Sequence, residues 1–242
     1  MHPPVGPALY SVLGHFEAVR QTMYLDSASP PLVTVGIGFM IDPFAAALAL
    51  GLGNWSRRGG GAVTESDLRT EWNLVKNPQT RPAGWQAQLM LRREAMRPLF
   101  DREARRREGV LRRLFPHFDN CPADAQLGML CVSWVRSSQA GIRSEFPDFV
   151  GFCGQRDWRR AGPASLWAAI RDATGGQDSR RVQRRFAMLR MFDNAAVVEE
   201  SNSIRPHSIP IQRLFYPHLA AAPSPAIAEQ IQARRQSYRY GR

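Results

Sequence analysis

Residues 124–135 constrain the fold of this chain most, because they are apolar on nearly every side of a helix. The apolar members of this segment include Leu127, Met129, Leu130, Cys131, Val132 and Trp134. A helix that is apolar all round must be covered by other elements on every side. Since 44% of the 242 residues are hydrophobic, the chain has enough apolar side chains to cover it. We therefore predict a globular domain built around this helix. The composition excludes a collagen-like, coiled-coil or wholly disordered chain.

Helical spacing of apolar residues recurs on both sides of this central segment. It predicts further helices over 8–22, 86–113, 145–153, 163–173 and 178–197. Most of the chain is therefore expected to be helical.

One short region interrupts the helical pattern. Residues 32–40 are rich in β-branched side chains and contain two glycines, which is typical of a strand with a bulge or a close backbone approach. Residues 54–62 include three successive glycines and predict a loop. Thr64 then has the chemistry of a helix N-cap, and we predict that its helix ends near Lys76. The fold class that follows is α+β, dominated by helices.

The net charge is strongly positive. The sequence has 32 basic and 21 acidic residues, a formal net charge of +11, and Lys76 is its single lysine. Such a surface attracts polyanions. Nucleic acid, anionic lipid headgroups and acidic cell-wall polymers all fit, and charge alone does not choose among them.

The sequence predicts neither a metal nor another cofactor. Its five histidines have none of the spacings that are typical of zinc sites. The three cysteines, Cys121, Cys131 and Cys153, form no Cys-x-x-Cys motif and are odd in number. We therefore expect buried free thiols rather than a disulfide framework.

Neither a secretory signal nor a membrane-spanning segment is expected. The first residues lack a basic segment followed by an apolar core. No apolar run approaches the roughly 20 residues that a spanning helix needs. We expect a protein that is synthesised in the cytoplasm, is not transmembrane, and reaches any target outside by export or lysis.

Two carboxylates stand out near the predicted strands. Glu17 lies near the end of the first predicted helix, and Asp26 follows in a turn after the chain reverses. Glycoside hydrolysis needs two facing carboxyls, one that donates a proton to the leaving oxygen and one that stays ionised. Spacing alone also fits two ordinary surface carboxylates, which are common in any soluble chain.

A motif around these carboxylates resembles the active site of a known family. Glu17, Tyr24 and Asp26 are followed by Thr34-Val35-Gly36-Ile37-Gly38, and this pattern resembles phage-type lysozymes, the muramidases of tailed-phage endolysins. Three later segments resemble the helical lobe of bacterial lysozyme-like members, namely 122–127, 146–149 and 192–196. The resemblance covers about residues 8–200.

The resemblance implies a two-lobed lysozyme-like fold. A catalytic domain over 1–200 would comprise a small β-hairpin lobe at about 20–65 and a helical lobe at about 66–200. The sugar chain would bind in the cleft between the lobes. Independently of the resemblance, the proline-rich and basic composition of residues 201–242 predicts a loosely docked or disordered C-terminal tail.

The resemblance also implies catalytic roles. Glu17 would be the general acid, while Asp26 and the Thr34 hydroxyl would hold the attacking water on the opposite face of the sugar. That arrangement inverts the anomeric configuration and needs carboxyls roughly 6.5–9.5 Å apart.

Three further residues of the motif are candidates for substrate binding. Gly36 and Gly38 would let the saccharide or a facing loop approach the backbone. Met40 falls where the family has a substrate-contacting leucine, and a core methionine is the alternative interpretation.

The implied function is a peptidoglycan muramidase that hydrolyses the β-1,4 bond between N-acetylmuramic acid and N-acetylglucosamine. It would act on the cell wall in the periplasm, either as a prophage endolysin or as an antibacterial effector of a type VI secretion system. Its partners would be glycan strands and possible export machinery or an immunity protein, with no specific nucleic acid.

Three alternatives remain open. The chain could be a non-catalytic wall-binding module of lysozyme-like fold. It could also be a lytic transglycosylase, in which the muramyl 6-hydroxyl attacks instead of water. Finally, the arginine-rich helices at 92–113 and 178–190 could bind nucleic acid, although such charge runs are more typical of solvated helix faces.

Overall fold

The fold is α+β and dominated by helices, as the sequence predicts. The computed structural model describes residues 1–17, 19–26, 30–135, 138–165 and 179–204. In chain order the regular elements are α1 (Val5–Phe16), β1 (Arg20–Leu25), β2 (Val33–Gly36), β3 (Phe39–Met40), α2 (Phe44–Leu48), β4 (Trp55–Arg57), α3 (Glu65–Lys76), β5 (Leu89–Leu91), α4 (Arg93–Leu114), α5 (Ala123–Val135), α6 (Gln139–Glu145), α7 (Pro147–Gly154), α8 (Trp158–Ser165) and α9 (Ser179–Ile204). Short 3-10 turns occur at Leu52–Asn54, Pro78–Thr80 and Phe118–Asn120.

The described residues divide into two compact units. The β-containing unit comprises Glu17–Glu103, and the helical unit comprises Met1–Phe16 together with the described residues from Ala104 onward. The β-containing unit has a three-stranded antiparallel sheet in the order β1-β2-β3 and a two-stranded antiparallel sheet of β4 and β5. All the predicted site residues belong to this unit.

The core of the β-containing unit lies between its sheets and α3. Val33 and Val35 of β2 are fully buried, and so is Leu91 of β5. Helix α3 contributes Leu68 and Val75, which are also buried. Apolar residues two positions apart on a strand point to one face, so β2 directs this face into the core.

Helix α3 begins and ends where the sequence predicts. The Thr64 side chain accepts a hydrogen bond from the Asp67 N–H at 3.2 Å, and the Asp67 carboxylate accepts one from the Thr64 N–H at 3.0 Å. This reciprocal capping box satisfies two backbone donors that the first turn would otherwise leave unpaired. The helix ends at Lys76, as predicted.

Helix α5 is the central element of the helical unit, which confirms the prediction for 124–135. Every residue from Ala123 to Trp134 is buried. Phe192 of α9 packs against Gly128, where an added Cβ would lie only 2.6 Å from the ring. Trp158 of α8 stacks on the same ring at a centroid distance of 6.4 Å. The small residue in α5 therefore allows α9 to approach closely.

The predicted C-terminal end of the first helix is wrong. We expected it over 8–22, but α1 ends at Phe16 and β1 begins at Arg20. The reason is a long-range interaction, because β1 pairs with β2 and so satisfies backbone groups that a helix would satisfy locally. Glu17 consequently lies in a bend after α1 rather than on a helix.

Two strands were not expected from the sequence. Residues 55–57, inside the predicted loop 54–62, form β4, and residues 89–91, inside the predicted helix 86–113, form β5. Each strand has three residues, which is too short for a periodic pattern, and their partners are more than thirty residues apart in the chain. Helix α4 consequently begins only at Arg93.

The later helices differ from prediction mainly in their boundaries. The helix expected over 145–153 is preceded by α6, and Pro147 occupies the first turn of α7. The helix expected over 163–173 is described only as α8, which ends at Ser165 before residues that lie outside the described part. Helix α9 continues to Ile204, so the predicted tail is described only for its first four residues, which are helical.

The three cysteines are buried free thiols, as predicted. Burial raises the pKa of Cys121 to about 12 and raises that of Cys153 well above its usual value. Both thiols are therefore protonated and poorly nucleophilic at neutral pH. Over the described part of the chain, no helix combines the length and apolar character required to cross a bilayer.

Candidate active site

Asp26 and Thr34 face each other at the end of the β1–β2 pair. The Leu32 N–H donates to Asp26 Oδ1 at 2.9 Å, and the Asp26 N–H donates to the Leu32 carbonyl at 2.9 Å. This reciprocal pair fixes the Asp26 carboxylate on the strand end. Its other oxygen, Oδ2, lies 3.5 Å from Thr34 Oγ1, which is also 3.3 Å from the Leu32 carbonyl. The fold thus brings together two of the three predicted catalytic residues.

The same sheet face carries a row of three side chains across the strands. Tyr24 of β1 is directly opposite Thr34 of β2, and Thr34 is directly opposite Met40 of β3. Directly opposed residues of antiparallel strands have their side chains on one face. Met40 is 48% exposed, so the interpretation as a core methionine is wrong. Thr34 is only 4% exposed, so its hydroxyl is shielded from bulk solvent.

Glu17 belongs to the same electrostatic cluster through Tyr24. Burial and the negative charges of Glu17 and Asp26 raise the pKa of Tyr24 to about 12, although the Arg20 charge lowers it. The Arg20 guanidinium lies 4.8 Å from the centroid of the Tyr24 ring. Glu17 itself is half-buried. The phenol therefore lies within electrostatic range of both predicted carboxylates and stays protonated at neutral pH.

The two glycines of the motif have positive φ angles, as a tight hairpin requires. Gly36 has φ +67° and Gly38 has φ +72°. A Cβ at Gly36 would lie 2.6 Å from Cδ2 of the Phe39 ring. The close approach at the buried Gly36 is thus made by Phe39 of the same hairpin. Gly38 is half-buried in the turn between β2 and β3.

Two residues that sequence reasoning missed support the strand that carries Thr34. Lys76 Nζ lies 2.5 Å from Asp42 Oδ2 and 3.1 Å from the Pro31 carbonyl oxygen. Asp42 Oδ2 also accepts a hydrogen bond from the Val33 N–H at 3.2 Å. The only signal in the sequence was that Lys76 is the single lysine among 32 basic residues.

The other buried carboxylate of this unit has a structural role. Glu71 accepts hydrogen bonds from the N–H groups of Gln88 and Leu89 at 2.8–3.0 Å. Burial raises the pKa of Glu71, while these hydrogen bonds oppose the rise. Because both carboxylate oxygens are engaged at the start of β5, Glu71 stabilises the sheet and is a poor candidate for the general acid.

Two arginines of α4 show how this helix uses its positive charge within the chain. Arg97 pairs with Asp101 at 3.0 Å, one helical turn away. Arg107 is buried, lies 4.4 Å from the centroid of the Trp134 ring and donates to the Ser133 carbonyl. Such contacts stabilise helix packing and need no external polyanion. Among the described residues, no group of three or more histidine, cysteine or acidic side chains is arranged to hold a metal ion.

No protein-family model, curated protein or solved structure matches this chain. The chemistry of Glu17, Asp26 and Thr34 is therefore what indicates a function. A carboxylate and a hydroxyl on one sheet face, with a second carboxylate nearby, can together hold a water molecule and supply a proton.

Proposed function

We propose that this protein is a muramidase that hydrolyses the β-1,4 bond between N-acetylmuramic acid and N-acetylglucosamine in peptidoglycan. The observation that carries this proposal is the pair of Asp26 Oδ2 and Thr34 Oγ1, 3.5 Å apart on the sheet face that also holds Tyr24. One water molecule can lie about 2.8 Å from both oxygens at this separation. Such a water would be held by the Thr34 hydroxyl and by Asp26, a carboxylate of the kind that inverting glycosidases use to activate water.

The hydrogen bonds around Thr34 suit a water that attacks. When the Thr34 hydroxyl donates to the Leu32 carbonyl, 3.3 Å away, its oxygen can accept a hydrogen bond from water. The same water can donate its second hydrogen to Asp26 Oδ2, the carboxylate oxygen that lies 3.5 Å from Thr34 Oγ1. Both hydrogens of the water then point at the protein, and an oxygen lone pair is free to attack the sugar.

We propose the following reaction for these residues. Glu17 donates its proton to the glycosidic oxygen as the bond to the anomeric carbon breaks and positive charge develops on the sugar. Asp26 stabilises that charge and takes a proton from the water as its oxygen bonds to the anomeric carbon. The new hydroxyl is on the opposite face from the departing sugar, so the anomeric configuration is inverted.

The substrate class is supported by the surface near the site and by charge. Met40, exposed beside Thr34, offers an apolar contact of the kind that a pyranose ring accepts. The net charge of +11 attracts the chain to anionic cell-wall polymers. We propose a lysozyme-like fold in which β1, β2 and β3 form the small β-hairpin lobe, and a protein that acts in the periplasm after export or lysis.

The test is release of reducing ends from purified sacculi by the wild type, Glu17→Gln and Asp26→Asn. Both substitutions keep the side-chain shape but remove the carboxyl that transfers a proton, so each rate should fall about 10²–10⁴-fold. Glu94→Gln is the matched control, since Glu94 is 75% exposed and far from the motif in sequence. It should retain the wild-type rate.

Other outcomes would redirect the proposal. A Glu17→Gln protein with wild-type activity would remove Glu17 from the mechanism. A wild type that binds sacculi tightly but releases no fragments would instead indicate a non-catalytic wall-binding module. For an active enzyme, lysis upon co-expression with a holin would indicate an endolysin. Killing that depends on a type VI apparatus and is blocked by an immunity protein would indicate an effector.

A further inference from the structure

We propose that Lys76 is a positioning residue that holds residues 31–33 so that Asp26 and Thr34 face each other. This inference rests on the proposed function for its catalytic consequence, although the geometry of the contact is independent of it. Lys76 ends α3, and its side chain reaches across to the segment that leads into β2.

The contacts of Lys76 flank the residue that orients Asp26. The ammonium donates to the Pro31 carbonyl at 3.1 Å, and Leu32, the next residue, holds Asp26 through two hydrogen bonds of 2.9 Å. The segment is thereby tied to α3 immediately before the Leu32 hydrogen bonds. Rotation of the Pro31–Leu32 peptide would move the Leu32 N–H away from Asp26 Oδ1.

A second path runs through Asp42. The same ammonium lies 2.5 Å from Asp42 Oδ2, which accepts the Val33 N–H at 3.2 Å. Thr34 follows Val33 directly in β2. Lys76 therefore fixes the backbone on both sides of Leu32, one side directly and the other through a carboxylate whose charge it balances. A charge-assisted contact of this kind is stronger than a neutral one.

The choice of lysine itself supports a specific role. The other 31 of the 32 basic residues are arginines. A compact ammonium can direct separate hydrogens at two acceptors that converge on one point, whereas the planar guanidinium is longer and has its donors in a fixed fork. Pro31 and Asp42 present such a convergent pair, so we expect that arginine does not fully replace Lys76.

The experiment compares Lys76→Met and Lys76→Arg with Arg69→Met, using two readouts. Arg69 is on the same helix and is a matched control, because its pairing with Glu65 at 2.8 Å and its position 4.1 Å above the Phe44 ring both lie outside residues 31–34. Methionine removes the same charge there and can keep an apolar contact with Phe44. The first readout is the amide hydrogen exchange of Leu32 and Val33, with the Leu89 amide, bound to Glu71, as an internal reference. The second is kcat and KM on soluble glycan fragments.

We expect Lys76→Met to increase the exchange rates of the Leu32 and Val33 amides at least tenfold and to leave that of Leu89 unchanged. It should lower kcat by about ten- to a hundredfold with little change in KM, since misplacement by about 1 Å costs this much. Lys76→Arg should be intermediate, and Arg69→Met should match the wild type in both readouts. Asp42→Asn preserves the side-chain shape and should change the exchange rates and kcat in the same direction as Lys76→Met. It keeps the inference testable if a Lys76 variant does not fold.

The two readouts separate this inference from the proposed function. Unchanged exchange at Leu32 and Val33 in Lys76→Met would overturn the inference even if the wild type is an active muramidase. Faster exchange with an unchanged kcat would show that Lys76 orders the segment without positioning the catalytic pair, and would overturn it as well. A wild type without activity would count against the proposed function, while the exchange rates would still decide whether Lys76 orders residues 31–33.

Discussion

Replacing Gly36 by alanine tests whether the hairpin that carries Thr34 is packed as described. An added Cβ would lie 2.6 Å and 2.8 Å from two carbon atoms of the Phe39 ring and 3.5 Å from Leu91 Cδ2. The φ of +67° adds a backbone penalty of about 1–2 kcal/mol for an L side chain. Relieving the overlap with the buried ring should cost a further 1–3 kcal/mol or so. We expect Gly36→Ala to lower the free energy of unfolding by about 2–5 kcal/mol.

Gly84→Ala is the matched control for this prediction. Gly84 has φ +72°, but a methyl group added to it would have nothing within 4 Å, so its substitution adds backbone strain without a steric overlap. Urea unfolding, followed by circular dichroism, should show that Gly36→Ala is the more destabilising by about 1–3 kcal/mol. The difference should shrink in a Phe39→Leu background, because the ring atoms are then absent. Equal destabilisation by the two alanines would refute the close packing of Phe39 on Gly36.

Two further predictions concern the pH dependence and the stability of the β-containing unit. Because the pKa of Tyr24 is raised from 10.0 to about 12 in the folded protein, the folded state holds its proton more tightly, and this contribution to stability is present below pH 10 and lost as pH rises towards 12. After allowance for partial solvent exposure, this contribution to the free energy of unfolding should be about 1 kcal/mol. Urea unfolding across this pH range should show that Tyr24→Phe lacks the corresponding pH-dependent loss. Thr64→Ala removes the capping box of α3 and should cost about 1 kcal/mol by the same assay, whereas Thr64→Ser should restore most of it. Stability of Thr64→Ala equal to that of the wild type would mean that the cap contributes nothing to this unit.

The elements that the sequence predicts well are those specified by local physics. The helix at α5 follows from its uninterrupted apolar composition, and the start of α3 follows from the chemistry of Thr64 and Asp67. The strand pair of β4 and β5 could not be predicted in this way, since Trp55 and Leu91 are 36 positions apart and neither strand has a pattern of its own. The end of α1 was missed for the same reason, because pairing with β2 outweighs the helical spacing of residues 17–22.

The residues of the candidate site also include some that the sequence predicts and some that it does not. The resemblance to phage-type lysozymes predicted that Asp26 and Thr34 lie together, and the pairing of β1 with β2 across a short reversal brings them to 3.5 Å. Lys76 and Asp42 had no such signal, since their contact depends on how α3 packs on β1 and β2. The contact between Gly36 and Phe39 could not be predicted either, because only the folded hairpin places the Phe39 ring against Gly36.

The most direct test of the proposed muramidase is digestion of sacculi in water labelled with a heavy oxygen isotope, followed by mass analysis of the fragments. If Asp26 and Thr34 direct a water molecule, the label should appear at the reducing end of the muramic acid released by the wild type. Digests with Asp26→Asn should contain about 10²–10⁴-fold fewer labelled ends over the same time, because this variant hydrolyses the bond more slowly. Unlabelled anhydro-muramic acid ends would contradict the account, because they would mean that the muramyl 6-hydroxyl attacks in place of water.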